Sequence, residues 1–451
     1  MKHILRHSFN FINKPGKGAV ETIILINLVL AVVAMFKDIF LASYLGTSSK
    51  ADAFWLAFFL PDTMGQNLIG VALSAACIPV FSRLYVTKDY HRLRDTVTSV
   101  TVYFTTVTVI LTVAFFYTRG FVIRSLGPTL DAEVLTLCTS LFTIMLPTIF
   151  LFPFVYVGTA VMQVHNRFNI PALVPVVYNL VLFCALLFGF FWQIPIDKGV
   201  YLLAAAVVVA AMAMLVLTGL GIKTNHIDVL ELPGFSGLSR SSVFVKEIFN
   251  VFMPYLLILM SSQGIYFIER YLASGLAAGS VAGLNYAFRI TQFPLWVFVA
   301  AVSTVSFPAM SKSIGLGQID ITKNTLIKSL RPVLVIILPL VIYLYVLREP
   351  VISVLFQRGS FDAKSVHMTA GVMAGYAISV ISQGVVALCL RTLMALNHTL
   401  IALLFFMASA GLTILTDFQM VPKLGLAGLG YGAAIGSSVN AVILLFLLNR
   451  V

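Results

Sequence analysis

Charge is scarce in this sequence. Only 10% of its 451 residues are Asp, Glu, Lys or Arg, against roughly a quarter in an ordinary soluble protein. Hydrophobic residues make up 60% of the chain. A soluble core of this length cannot hide so much apolar surface, so lipid is expected to be the main solvent. In lipid every backbone N–H and C=O must be paired internally, which leaves helices or closed barrels. Barrel strands alternate apolar and polar residues; the apolar runs here are continuous and helix-length, which excludes a barrel. Cysteine is equally sparse: Cys77, Cys138, Cys184 and Cys389 lie far apart in apolar runs, with no metal-binding spacing, and read as small buried hydrophobes. Of the seven histidines only His3 and His7 stand four apart, with no acidic residue between them and no further ligand beside them; the others are scattered. Phosphate-binding glycine loops, zinc-protease helices and serine-hydrolase elbows are all missing. The chain is therefore read as no enzyme, with no catalytic residues, no cofactor and no metal. Any transport is driven by an ion gradient, the membrane potential, the substrate gradient or a separate partner.

What the sequence does contain is helix-length apolar runs. They fall near 19–44, 51–80, 96–118, 133–163, 170–192, 198–221, 246–272, 281–311, 325–347, 366–393, 398–416 and 425–449. The predicted fold is an all-α integral membrane protein with about twelve transmembrane helices. The net charge is +12, which in a membrane chain reads as a positive-inside bias and not as nucleic-acid binding. Eighteen basic residues fall on the side of the N-terminus and nine on the other, which places both termini in the cytoplasm. Residues 1–18 carry Lys2, Arg6, Lys14 and Lys17 and read as a cytoplasmic segment with no cleavable signal. The connection 222–245 is the longest cytoplasmic loop and reads as a linker between a six-helix lobe at 19–221 and a second at 246–451. A repeat supports that division. Ala72, Ser74, Pro79 and Ser82, followed by Arg83, recur in register as Ala301, Ser303, Pro308 and Ser311, followed by Lys312. Six spans separate the copies, so the halves share one orientation. This is a parallel pseudo-two-fold arrangement, which in transporters goes with a site between two lobes.

The residues that carry chemistry are ionisable groups at membrane depth, which are expensive in hydrocarbon and face a cavity or a partner. Lys37 and Asp38 lie in the first span; Asp52 opens the second and Asp62 sits inside it; Glu269 and Arg270 end the seventh; Arg289 lies within the eighth, near Asn285 and Gln292; Arg391 ends the tenth. Each has a plainer reading as a structural ion pair or an interface residue whose head reaches water. Arg289 resists that reading best, because Phe288, Ile290 and Phe293 around it are apolar. Lys37, Arg289, Arg270 and Arg391, with Asn285 and Gln292, are the candidate substrate-binding residues. Guanidinium forks suit phosphate geometry, so an anionic cargo such as a lipid pyrophosphate head group fits them. Asp38, Asp52, Asp62 and Glu269 are candidate coupling or ion-pair residues. Pro61, Gly65, Gly70 and Pro294 interrupt the same spans and are candidate hinges; a packing kink without a gating role explains them equally well.

Several of these stretches resemble the MurJ (MviN) family of lipid II flippases, within the superfamily that also holds the MATE drug exporters and polysaccharide flippases. They are Lys37-Asp38 through Gly46, Ala51-Asp52-Ala53-Phe54, Leu60-Pro61, Glu269-Arg270 through Ser274, Leu284 through Pro294, Phe307 through Lys312, and Leu355 through Asp362. The resemblance implies two six-helix lobes around a central cationic cavity. It implies transfer of an undecaprenyl-pyrophosphate-linked saccharide from the inner to the outer leaflet of the bacterial cytoplasmic membrane. The lipid bilayer, a coupling cation and cell-wall synthesis proteins are its candidate partners. Lys37 stands where the family usually has Arg, while Asp52 and Arg289 match its acidic and basic cavity residues. Two departures stand out. Leu30-Ala31 replaces a Ser-Arg pair, and Gly65-Gln66 and Gly70-Val71 replace the paired arginines and the Glu-Gly that follow Leu60-Pro61. A flippase for an exopolysaccharide, capsule or teichoic-type repeat unit is the alternative. A MATE-type cation-coupled exporter is a second, which the basic character of Lys37 and Arg289 disfavours.

Overall fold

The computed structural model describes residues 18–225, 227, 242–299, 302, 310, 319–396 and 399–450. Most of the N-terminal segment and of the 222–245 connection, and the second repeat copy apart from Val302 and Met310, lie outside the described residues. The rest is helical: α1 (Gly18–Leu45), α2 (Ser49–Pro61), a π-helix π1 (Asp62–Gly70), α3 (Val71–Val86), α4 (Tyr90–Leu126), α5 (Ala132–Met145), α6 (Thr148–Val164), α7 (Asn169–Phe191), α8 (Ile196–Thr224), α9 (Ser242–Ser274), α10 (Ser280–Pro294), a second π segment π2 (Leu295–Val299), α11 (Ile319–Val346), α12 (Arg348–Phe356), α13 (Ala363–Ala395), α14 (Thr399–Leu424) and α15 (Ala427–Arg450). Among the described residues eleven helical stretches are long and apolar enough to cross a membrane. They coincide with eleven of the twelve runs read from the sequence. The remaining run, 281–311, begins as α10 and π2 and then leaves the described residues.

Cα packing divides the chain into two compact units. The first comprises Met1–Tyr44, Leu56–Arg124 and Asp131–Met260; the second comprises Leu45–Trp55, Ser125–Leu130 and Ser261–Val451. This division departs from the sequence halves at two places. Short segments at 45–55 and 125–130 belong with the second unit, and the boundary at residue 260 falls inside α9, not in the 222–245 connection.

In the first unit, Leu73, Cys77 and Phe81 of α3 pack with Val157 and Val161 of α6, Val100 and Phe104 of α4, and Ile248 and Phe252 of α9. Ile24, Leu28, Ile110 and Phe121 stay well exposed, as side chains that meet lipid do. Along α4 the hydroxyls of Thr98, Thr101, Thr106, Thr108, Thr112 and Thr118 each donate to the carbonyl four residues back. A hydroxyl in hydrocarbon has no water to turn to, so the helix satisfies it internally.

In the second unit α13 is the central helix, packed against α10, α11, α12 and α15. Between helices in lipid, close backbone approach takes the place of the hydrophobic effect. Gly375 of α13 and Gly430 of α15 meet so closely that a Cβ on either would overlap the other helix's backbone.

Candidate functional site

The site of the second unit is built around α10, and its geometry starts from a clasp at that helix's first turn. Asp52, on α2, is only 5% exposed. Its carboxylate accepts hydrogen bonds from the Gly279 N–H at 2.6 Å and the Ala282 N–H at 2.8 Å. A helix N-terminus leaves N–H groups unpartnered and carries partial positive charge, and a carboxylate answers both. Gly279 has φ +90°, and a Cβ there would overlap Thr47, so the close approach of the 45–55 segment requires glycine. The Tyr286 hydroxyl donates to the Gly46 carbonyl at 3.3 Å, and the Thr47 and Ser365 hydroxyls share a 2.7 Å hydrogen bond. Asp362 in turn accepts from the Ser365 N–H and hydroxyl, both at 2.8 Å. Those hydrogen bonds, which favour the ionised form, hold its carboxyl below its ordinary pKa. Asp52, a candidate coupling or ion-pair residue in the sequence, is thus placed as the anchor that starts α10.

Further along α10, Asn285, Arg289 and Gln292 stand at i, i+4 and i+7 and share one face. The Arg270 guanidinium donates to Asn285 Oδ1 at 2.8 Å and to the Tyr266 carbonyl at 3.0 Å. Gln292 Nε2 donates to Gln383 Oε1 at 3.1 Å, and Gln383 Nε2 to the Ser379 hydroxyl at 2.9 Å. Asn285 and Gln292 are buried. Arg289 is half-buried, with its guanidinium carbon 5.4 Å from the centroid of the Trp55 ring. That contact stabilises the cation without neutralising it. At Pro294 the α-helical ladder gives way to π2.

Glu269 is 2% exposed and Asp417, on α14, fully buried. Both lie within electrostatic reach of Tyr376, which is also buried. Neither carboxylate oxygen of Asp417 has a hydrogen-bond partner among the described residues. Asp417 lies one residue beyond the apolar run at 398–416, whereas α14 continues to Leu424. An acid embedded in an apolar run was the available signal. Arg391 lies on α13, with its side chain outside the described residues. No cluster of three His, Cys, Asp or Glu side chains forms a metal site among the described residues.

The first unit holds the other candidates. Lys37 Nζ lies 3.0 Å from Asp38 Oδ1, and both residues are buried. The α-helix ends at Pro61, and the following π1 contains Asp62, Gly65 and Gly70. Asp62 accepts 3.0 Å hydrogen bonds from Gln66 and Asn67. The prolines and glycines read as hinges therefore mark changes of helical ladder, from α to π at both Pro61 and Pro294.

This arrangement has relatives. The sequence pattern of the family described as Lipid II flippase MurJ matches residues 41–451. The chain is 29% identical to a probable lipid II flippase MurJ of Buchnera aphidicola subsp. Acyrthosiphon pisum, over 79% of this chain and 69% of that protein. It is 24% identical to the lipid II flippase MurJ of Burkholderia cenocepacia, over 93% of this chain and 81% of that protein. Its fold is similar to that of a lipid II flippase MurJ in an inward closed conformation, with a TM-score of 0.79, 20% identity, and 94% of this chain and 87% of the other covered. It is also similar to an inward-facing MATE multidrug transporter of the MOP superfamily, with a TM-score of 0.82, 15% identity, and 93% and 94% coverage. With an all-helical membrane fold and a family match over nine-tenths of its length, the chain belongs to the lipid II flippase MurJ family.

Proposed function

We propose that this protein carries lipid II, an undecaprenyl-pyrophosphate-linked saccharide, from the inner to the outer leaflet of the bacterial cytoplasmic membrane by alternating access, with both termini in the cytoplasm. The observation that carries the reading is Arg289: a half-buried guanidinium on an aromatic face, on the helix face it shares with Asn285 and Gln292. Cationic side chains at membrane depth mark the paths of charged substrates, and the planar guanidinium fork matches the geometry of a pyrophosphate. Lys37 offers a second cation in the first unit. Moving a pyrophosphate outward carries negative charge out of the cell, which an inside-negative potential favours. With the termini inside, the Asp52 clasp on α10 lies toward the outer face of the membrane.

A coupling cation or proton is held by Asp417 with Glu269. An ionised carboxylate with no partner is expensive to bury, so Asp417 carries a proton or faces a cation in the resting state. Asp417→Asn is expected to leave the melting temperature unchanged or slightly higher, because it removes a buried acid without changing size. The same variant is expected to lose any dependence of transport on ion or proton gradients. Transport in Asp417→Asn vesicles that responds to those gradients as the parent does excludes this role. The function itself is tested by leaflet translocation of defined lipid-linked sugars in proteoliposomes. Transfer of lipid II supports it. Transfer only of a capsule or exopolysaccharide repeat unit points to the alternative cargo.

A further inference from the structure

The π1 segment shows an arrangement that the pyrophosphate chemistry leaves unused. In a π-helix the backbone bonds to the fifth residue, and the Val71 N–H donating to the Gln66 carbonyl is such a bond. In an α-helix, at about 100° per residue, Asn67 would be turned about 140° away from Asp62. The wider turn instead brings Gln66 and Asn67 together under Asp62, one amide on each carboxylate oxygen at 3.0 Å. The packing of the segment is fixed by two glycines. Gly65 and Gly70 lie so close to the rings of Phe152 and Tyr156 on α6 that a Cβ on either would overlap them. The segment therefore holds its register by packing, and its three polar side chains stay partly exposed at mid-depth in the Ser49–Val86 span. Polar groups at that depth face a wet path and not lipid.

The chemistry of the trio is specific. It is made of a carboxyl group and two amides and supplies no cation for a phosphate. Gln66 and Asn67 use their N–H groups on Asp62, while their carbonyl oxygens make no hydrogen bond among the described residues. A planar carboxylate–amide array with spare acceptors suits hydroxyl and acetamido groups, and a site built to hydrogen-bond such groups rejects a ligand without them. We infer that Asp62, Gln66 and Asn67 form a subsite for the uncharged saccharide portion of the cargo, and that it sets which glycan is carried. This rests on the flippase reading above and adds to it a residue set that does not touch the pyrophosphate.

Binding of two lipids to the purified full-length protein tests it: a polyprenyl pyrophosphate bearing the saccharide, and the same lipid without sugar. The Gln66→Ala/Asn67→Ala variant is expected to bind the glycolipid about tenfold more weakly, the loss of two neutral hydrogen bonds, and the sugar-free lipid as the parent does. The near-isosteric Gln66→Met/Asn67→Leu variant should do the same without disturbing π1, with an unchanged melting temperature as the check on folding. Equal weakening toward both lipids, or none toward either, overturns the subsite while leaving the flippase reading standing. Failure of the parent protein to bind either lipid removes the flippase reading, and the subsite with it.

Discussion

Arg289→Ala is expected to lower lipid II translocation in proteoliposomes by about ten- to a hundredfold, with insertion and melting temperature intact. The magnitude follows from one charge-assisted contact to phosphate, worth about 1.5–3 kcal/mol. Folding should tolerate the change because the side chain is only half-buried. Arg289→Lys separates charge from geometry. An ammonium keeps the positive charge but loses the planar fork and much of the stacking on Trp55, so partial recovery is expected. Full parental transport by Arg289→Ala would remove the anion-binding role of α10. Lys37→Ala should act in the same direction with a smaller effect, since Lys37 is already paired with Asp38 at 3.0 Å.

Asp52→Ala should produce the second large effect, and on a different observable. The carboxylate serves the Gly279 and Ala282 N–H groups from an almost fully buried position. Removing it strips the first turn of α10 of its acceptor and leaves buried donors unsatisfied. A cost of about 2–3 kcal/mol is expected from lost capping and charge-assisted bonds, read as a lower melting temperature in detergent. Asp52→Asn retains one acceptor and should lose less. Transport should fall with the clasp, because α10 carries Asn285, Arg289 and Gln292. An unchanged melting temperature in Asp52→Ala would show that the clasp does not hold α10 in place.

The residues differ in how far the sequence alone revealed them. Arg289 with Asn285 and Gln292 was legible because an i, i+4, i+7 polar face stands out in an apolar run. Asp52 stands out in the sequence as an acid at the start of a span, but its partners do not. Those partners are backbone N–H groups more than 220 residues away, and a backbone leaves no mark in composition. Pro61 and Pro294 announced interruptions; that the ladder would pass into π and not merely bend depends on packing such as that of Gly65 and Gly70 on two rings. Asp417 was missed by the placing of one boundary. Membrane sequences signal burial depth through hydropathy averages, and a single acid near a span's end lowers the average that would have included it.

The most direct measurement compares translocation, by the same proteoliposomes, of lipid II and of a polyprenol-linked saccharide with the same sugars and tail but no phosphate. If Arg289 receives the anionic linkage, lipid II crosses rapidly and the neutral lipid no faster than in protein-free vesicles. Equal rates for the two lipids would contradict recognition through charge.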